Sequence, residues 1–276
     1  MQLVVWNSQG DCWDPFWTNF VEKVASDNAN DDVLGLLLES SRASWSVDVV
    51  HVNNRYDYPT TDKNPTVDAG RAAASRLCKA IVKSNDSYTR SPAPITAYWF
   101  PWVKNPDKPD GDGNPRCSLG GIIWKRTNRS FPVNRHLPDE AKRPIVHINV
   151  QKTSSGTDNV VLLQVHLTAT DATARNELTT LMKGIKSLIP ESTAAFIVGD
   201  MNIDLRTKAF NVEEGWKVVK YEDQPTQRAG GQLDWGLLYD PNKKYGGVSA
   251  SVLKQYDSFP NTSDHSVMQY DFPLPE

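Results

Sequence analysis

The chain has 276 residues, of which 39% are hydrophobic and 23% charged, with a formal charge of −3 and a pI near 6.0. That balance supports a sizeable folded core, argues against disorder, and leaves bulk charge no case for a nucleic-acid binder. No apolar run approaches the roughly 18 residues of a membrane span, and Cys12, Cys78 and Cys117 are too scattered for a disulfide scaffold or a zinc site, though one bridge between two of them stays open.

The first ten residues lack a charged segment followed by an apolar one. The chain opens inside a strand pattern, "QLVVWN", so the expectation is that Met1 replaces a removed leader. After it, "DPFWTNFVEKVAS" predicts a helix, with Asp14 as N-cap, Pro15 at the first helical position and Phe16, Phe20, Val21 and Val24 on one face. "DVLGLLLES" reads as a buried strand and "AGRAAASRLCKAIVKS" as a second helix. Strand patterns follow at "ITAYWF", "LGGIIWK", "IVHINV" and "NVVLLQVHL", punctuated by clusters such as "KNPDKPDGDGNP". "ATARNELTTLMKGIKSLI" is an amphipathic helix with Leu178, Leu181, Met182, Ile185, Leu188 and Ile189 on its apolar side. It leads into the strand "AAFIVGD", and "LDWGLLY" and "SVMQYDF" complete the series. So many strands are housed more economically in two packed sheets than in one wide open sheet, which predicts a single α/β domain over 1–276 with helices outside.

Polar residues recur where the apolar strands stop. Asn7 ends "LVVWN", Glu39 ends "LGLLLE", His166 ends "VVLLQVH", Asp200 and Asn202 end "FIVGDMN", Asp234 interrupts "QLDWGLL", and Asp264 with His265 opens "SDHSVMQYDF". Each alone has an ordinary explanation as a turn former, a cap or a satisfied core histidine. Their shared placement at strand ends carries the information, because sites are built on loops at one rim of a rigid scaffold. Glu39, Asp264 and the amide oxygen of Asn7 are hard oxygen ligands that suit Mg²⁺, with Mn²⁺ or Ca²⁺ able to substitute or assist. Asp234 and His265 suit a carboxylate–imidazole pair, Asp200 an orienter of attacking water and Asn202 a donor to a phosphoryl oxygen, which leaves His166 either to protect the charge on the other side or to protonate the leaving oxygen. Metal-assisted attack of water on a phosphodiester fits this set.

These motifs, "VVWNSQG", "LLLES", "VHLTAT", "IVGDMN", "LDW" and "SDH", resemble in order and approximate spacing those of the endonuclease/exonuclease/phosphatase superfamily. Within it the chain looks most like the catalytic B subunit family of cytolethal distending toxin, on "WNSQG", "KRPIVHINV", "VHLTATDATAR" and "PTQRAGGQLDWGLL". The resemblance implies a deoxyribonuclease I-like four-layer α/β/β/α sandwich of two packed, mostly antiparallel sheets. It also implies Asn7, Glu39 and Asp264 around the metal, His166, Asp200, Asn202, Asp234 and His265 as catalytic, and Arg116 and Arg143 on phosphate. The departures are Leu38 where the family has Gln, "GDMN" for "GDFN", "LDW" for "LDY", and no glutamate in "SPAPITAYWF" to partner the first histidine.

The implied function is a Mg²⁺-dependent DNA endonuclease acting as the active subunit of a secreted toxin. Its implied partners are DNA and delivery or binding subunits, and its implied site of action is a target-cell nucleus. Arg116, Lys125, Arg126, Arg129, Arg135, Lys142 and Arg143 form a basic stretch, which is either an anion-facing surface or a solvated face. Two alternatives stand beside this reading: a phosphatase or phosphodiesterase acting on phosphoinositide or sphingomyelin, and a catalytically inactive binding module. The sequons at Asn85, Asn128 and Asn261 favour a bacterial or cytosolic origin, since a glycan on Asn261 would crowd "SDH".

Overall fold

The computed structural model describes residues 1–9, 16–38, 95–100, 119–136, 145–152, 160–254 and 263–274. The second predicted helix, Glu39, Arg116, Arg143 and all three cysteines lie outside these residues.

Among the described residues, two sheets form the core, and the strand counts and pairings that follow are of those residues. The first has six strands in the order β12-β13-β1-β2-β4-β3: β1 (Gln2–Asn7), β2 (Val33–Leu38), β3 (Ile95–Phe100), β4 (Leu119–Trp124), β12 (Ser249–Lys254) and β13 (Val267–Asp271). The second has seven strands and runs β10-β11-β9-β8-β7-β5, with β6 also on β7. Its members are β5 (Arg129–Ser130), β6 (Val133–His136), β7 (Ile145–Lys152), β8 (Val160–His166), β9 (Ala194–Asp200), β10 (Trp216–Val219) and β11 (Asp234–Tyr239). Most neighbours are antiparallel. The exceptions are β1 with β2 and β8 with β9, one parallel pair per sheet.

The period-2 alternation of strand side chains separates two apolar layers. Leu3, Val5, Leu34, Leu36, Leu38, Val160, Leu162, Phe196, Val198, Met268 and Tyr270 meet between the sheets. Val161, Leu163, Val165, Ala195, Ile197 and Leu237 face outward against α2 (Asp171–Leu188), which lays Ala174, Leu178, Met182 and Ile185 on them as its amphipathic pattern predicts. On the other outer face, Phe16 and Phe20 lie against Trp6, and Gly35 leaves room for Phe16 and Val21. The layers are therefore helix, sheet, sheet, helix. The first predicted helix is split: Trp17–Val21 winds as a π-helix before the short α1 (Glu22–Asp27). Strands β5, β6, β10 and β12 lack a strong alternating apolar pattern and were not anticipated.

Candidate active site

The inward phase of the strands carries polar groups to one rim. Val160, Leu162, Gln164 and His166 share a face of β8, as do Ala194, Phe196, Val198 and Asp200 on β9. The parallel register places His166 beside Asp200, and the antiparallel register places Asp234 on the other side of Asp200. Asn7 ends β1 opposite Leu38, and Asp264 and His265 precede β13, the antiparallel neighbour of β1. Asn7, His166, Asp200, Asp234 and His265 are all buried.

Asp200 is the hub. Its Oδ2 accepts from Asn7 Nδ2 at 2.9 Å and lies 3.5 Å from His166 Nε2 and 3.8 Å from His265 Nε2. Its Oδ1 accepts from the Asn202 amide at 2.9 Å, closing an Asx turn in which Asn202 has φ 50°. Asn202 Nδ2 donates to the carbonyl of Leu167 at 2.8 Å, tying the turn to the segment after His166. Gly199 is obligatory here: its φ is 147°, and a Cβ would collide with the carbonyl of Val165 on the parallel neighbour. The "GDMN" turn chemistry and the delivery of Asp200 are one device.

His265 Nδ1 donates to Asp234 Oδ2 at 2.9 Å. Burial resists charge on this imidazole, but Asp234, Asp200, the hydrogen bond to Asp234 and Asp264 outweigh it and raise the pKa from 6.5 to about 10. The ring is thus an imidazolium at neutral pH in the absence of a competing cation, with Nε2–H facing the rim. Thr226 Oγ1 holds the pair's other end by accepting from the amides of Leu233 and Asp234 at 3.0 and 2.9 Å, and its carbonyl accepts from Ser266 at 2.7 Å. Ser263 Oγ donates to the Asn7 carbonyl at 2.6 Å and accepts from the His265 amide at 3.0 Å, which fixes "SDH" to β1.

Two groups of atoms compete as a metal seat. Asp200, Asp234 and His265 offer ligand atoms within 4.8 Å of one another and could hold an ion. Asp200 already accepts from Asn7 and Asn202, and Asp234 from His265, so an ion there would share these carboxylates with the bonds that hold the cluster together. Asp264 differs. Its Oδ2 accepts from Gln227 Nε2 at 3.2 Å, while its buried Oδ1 makes no hydrogen bond among the described residues and sits 3.6 Å from His265 Nε2. The His265 ring is the ion-pair partner of that oxygen, and because Asn7 and Asp264 both offer oxygen ligands, a hard ion could be held there in its place.

No protein-family model matches the sequence, and no curated protein sequence matches it. Among solved structures, the biologically active subunit of cytolethal distending toxin aligns at TM-score 0.59 over 98% of this chain and 96% of its own, with 14% identity. The fold is deoxyribonuclease I-like. Truncated TDP2 from Caenorhabditis elegans aligns at 0.54 over 98% and 96% of the two chains, also at 14% identity. An endonuclease/exonuclease/phosphatase family protein from Leptotrichia buccalis aligns at 0.52 over 99% and 100%, at 13% identity. At such identities the likeness establishes architecture alone.

Of the residues singled out in the sequence, Asn7, His166, Asp200, Asn202, Asp234, Asp264 and His265 converge; Glu39, Arg116 and Arg143 lie outside the described residues. Thr226, Ser263 and Gln164 were missed. Gln164 had a visible signal, an amide at an inward phase of an otherwise apolar run, whereas Thr226 and Ser263 act through backbone groups that no spacing reveals.

Proposed function

We propose that the protein is a Mg²⁺-dependent phosphodiester hydrolase that cuts DNA as an endonuclease. The observation that carries this reading is the interlocked cluster of Asp200, His166 and the Asp234–His265 pair beside the buried Oδ1 of Asp264, which makes no hydrogen bond among the described residues. Support for nucleic acid comes from a structural neighbour, TDP2 from D. rerio, described in complex with a single-strand DNA product. The reading extends to a toxin subunit, secreted and acting in a target-cell nucleus; its toxin part is supported by the Haemophilus ducreyi cytolethal distending toxin, which aligns at TM-score 0.50 and 18% identity.

Asn7 and Asp264, with Glu39, would hold the ion, which supplies charge stabilisation at a phosphoryl oxygen. Asp200 orients the attacking water and takes its proton as the new P–O bond forms. His166 gives a proton to the leaving oxygen as the old P–O bond breaks. His265, held by Asp234, presents Nε2–H to a non-bridging oxygen as negative charge builds there. Asn202 keeps one amide hydrogen for the same oxygens after bonding Leu167, and Arg116 and Arg143 contribute phosphate contacts.

Supercoiled plasmid incubated with purified protein tests this directly. The expected result is relaxation with Mg²⁺ and none with a chelator. An intact plasmid alongside release of phosphate or phosphocholine from a phosphoinositide and sphingomyelin panel would replace the DNA reading with the lipid one. That alternative draws on the net charge of −3, which provides no strong general attraction to DNA. Silence on every substrate would leave a non-catalytic binding module.

A further inference from the structure

Between the sheets, in a layer otherwise made of aliphatic and aromatic side chains, sits a polar knot that the mechanism does not use. Gln164 on β8 is completely buried, and Tyr98 on β3 is 2% exposed. The Gln164 amide nitrogen donates to the carbonyls of Leu37 on β2 and Gly120 on β4, at 3.0 and 2.9 Å. Its amide oxygen accepts from the Tyr98 hydroxyl at 2.7 Å. One side chain of the second sheet is thereby bonded to three strands of the first. Gly121 makes room for this, since a Cβ there would collide with the Tyr98 hydroxyl. Burial holds the phenol neutral by raising its pKa well above 10.0.

The bond between Tyr98 and Gln164 is not required for stability as such. Replacing a hydrogen-bonded pair by apolar groups of similar shape is close to neutral, whereas a buried polar network specifies one arrangement of its neighbours. Apolar sheet faces tolerate small slides against each other; three directional bonds do not. The location gives that fixity a use. Gln164 is two residues before His166 on the same face of β8, and Leu37 is two residues before Glu39 and pairs with Trp6, next to Asn7. The knot sits one step below the rim, where groups from the first sheet meet groups from the second.

We infer that Gln164, with Tyr98, is a positioning residue: it sets the offset between the sheets so that the metal-holding side meets the proton-handling side in register. This rests on the phosphodiesterase reading above. Misplacement by about 1 Å is enough to cost on the order of 100-fold in rate, and loss of a supporting partner typically costs about 10- to 100-fold in metal affinity or activity.

The test compares wild type with Q164M and with the double variant Y98F/Q164M, in which both partners are apolar and similar in shape. Readouts are the thermal midpoint, kcat and KM for Mg²⁺-dependent plasmid nicking, and Mn²⁺ binding by electron paramagnetic resonance. The expected result is a double variant that folds with a midpoint lowered by a few degrees, because the carbonyls of Leu37 and Gly120 lose their Gln164 donor, has kcat lowered about tenfold at little-changed KM, and binds Mn²⁺ about tenfold more weakly. A purely structural role would shrink the folded fraction without changing the Mn²⁺ affinity of the molecules that remain folded. A folded double variant with kcat and Mn²⁺ affinity within about twofold of wild type overturns the inference, as does a double variant that cannot fold, because the knot would then be needed for stability. Wild-type protein that neither nicks DNA nor binds Mn²⁺ overturns the site reading itself and this inference with it.

Discussion

The two sheets contribute different kinds of group to the rim. The second sheet supplies His166, Asp200 and Asp234 from within its strands, at relative exposures of 4%, 2% and 2%, and their neighbours in the ladder fix their spacing. The first supplies Asn7 at a strand end and Asp264 and His265 from the segment leading into β13, and the Asp264 side chain remains 32% exposed. His265 is the crossing point, because it lies in the segment leading into β13 of the first sheet while its backbone bridges to Gln227 and its ring is bonded to Asp234 of the second. Groups that exchange protons need a dry, fixed setting where charge interactions are strong. A carboxylate receiving a hydrated cation needs an opening to water. On the proposed function, the interlocked carboxylates would form a proton-handling side of the rim and the partly exposed Asp264 a metal-holding side.

The largest effect should come from breaking the interlocked side. His265→Ala or Asp200→Ala should lower nicking by about 10³-fold or more while circular dichroism stays native; activity near wild type in either would remove the assignment. Next, Asp264→Asn should raise the Mg²⁺ concentration for half-maximal activity roughly tenfold or more, whereas His166→Ala should leave Mn²⁺ binding within about twofold while lowering kcat. Equal effects of the two substitutions on metal affinity would erase the distinction between the sides.

A smaller, structural effect tests what holds the crossing point together. Thr226→Val deprives the Leu233 and Asp234 amides of their acceptor, so urea denaturation should show a loss of about 1–3 kcal/mol. Unchanged stability would mean that other groups satisfy those amides. The smallest effect concerns pH. Burial, with Asp234 adding to it for Tyr270, raises the pKa values of Tyr98 and Tyr270 well above 10.0. Both phenols stay protonated in the folded state while the unfolded chain ionises, so their contribution is complete below pH 10 and is lost progressively above it. Tyr98→Phe and Tyr270→Phe should each flatten the alkaline decline of the thermal midpoint, and an unchanged slope would place that decline elsewhere.

Much was readable before any coordinates. Apolar runs marked β1, β2, β8, β9 and β11, because strands buried on both faces have few polar residues, and the period of α2 marked its inner face. The polar residues that end those runs stood out for the same reason, and their repeated placement at strand ends, rather than Asp200 or His166 alone, carried the information. Short edge segments such as β10 and β12 were not visible, since their hydrogen bonds come from neighbours and their own composition resembles a loop. The π-helical winding at Trp17–Val21 was equally hidden.

By itself, the sequence determined which residue types reach strand ends and which chemistry they permit, since both follow from local pattern and side-chain inventory. Tertiary structure decided which of them touch. Only the parallel register of β8 with β9 puts His166 beside Asp200, only the bridging of the segment before β13 to Thr226 and Gln227 brings His265 to Asp234, and only the meeting of two sheets gives Gln164 its three partners. Residues far apart in the chain acquire defined distances through the packing of the whole core, and no local pattern encodes those distances.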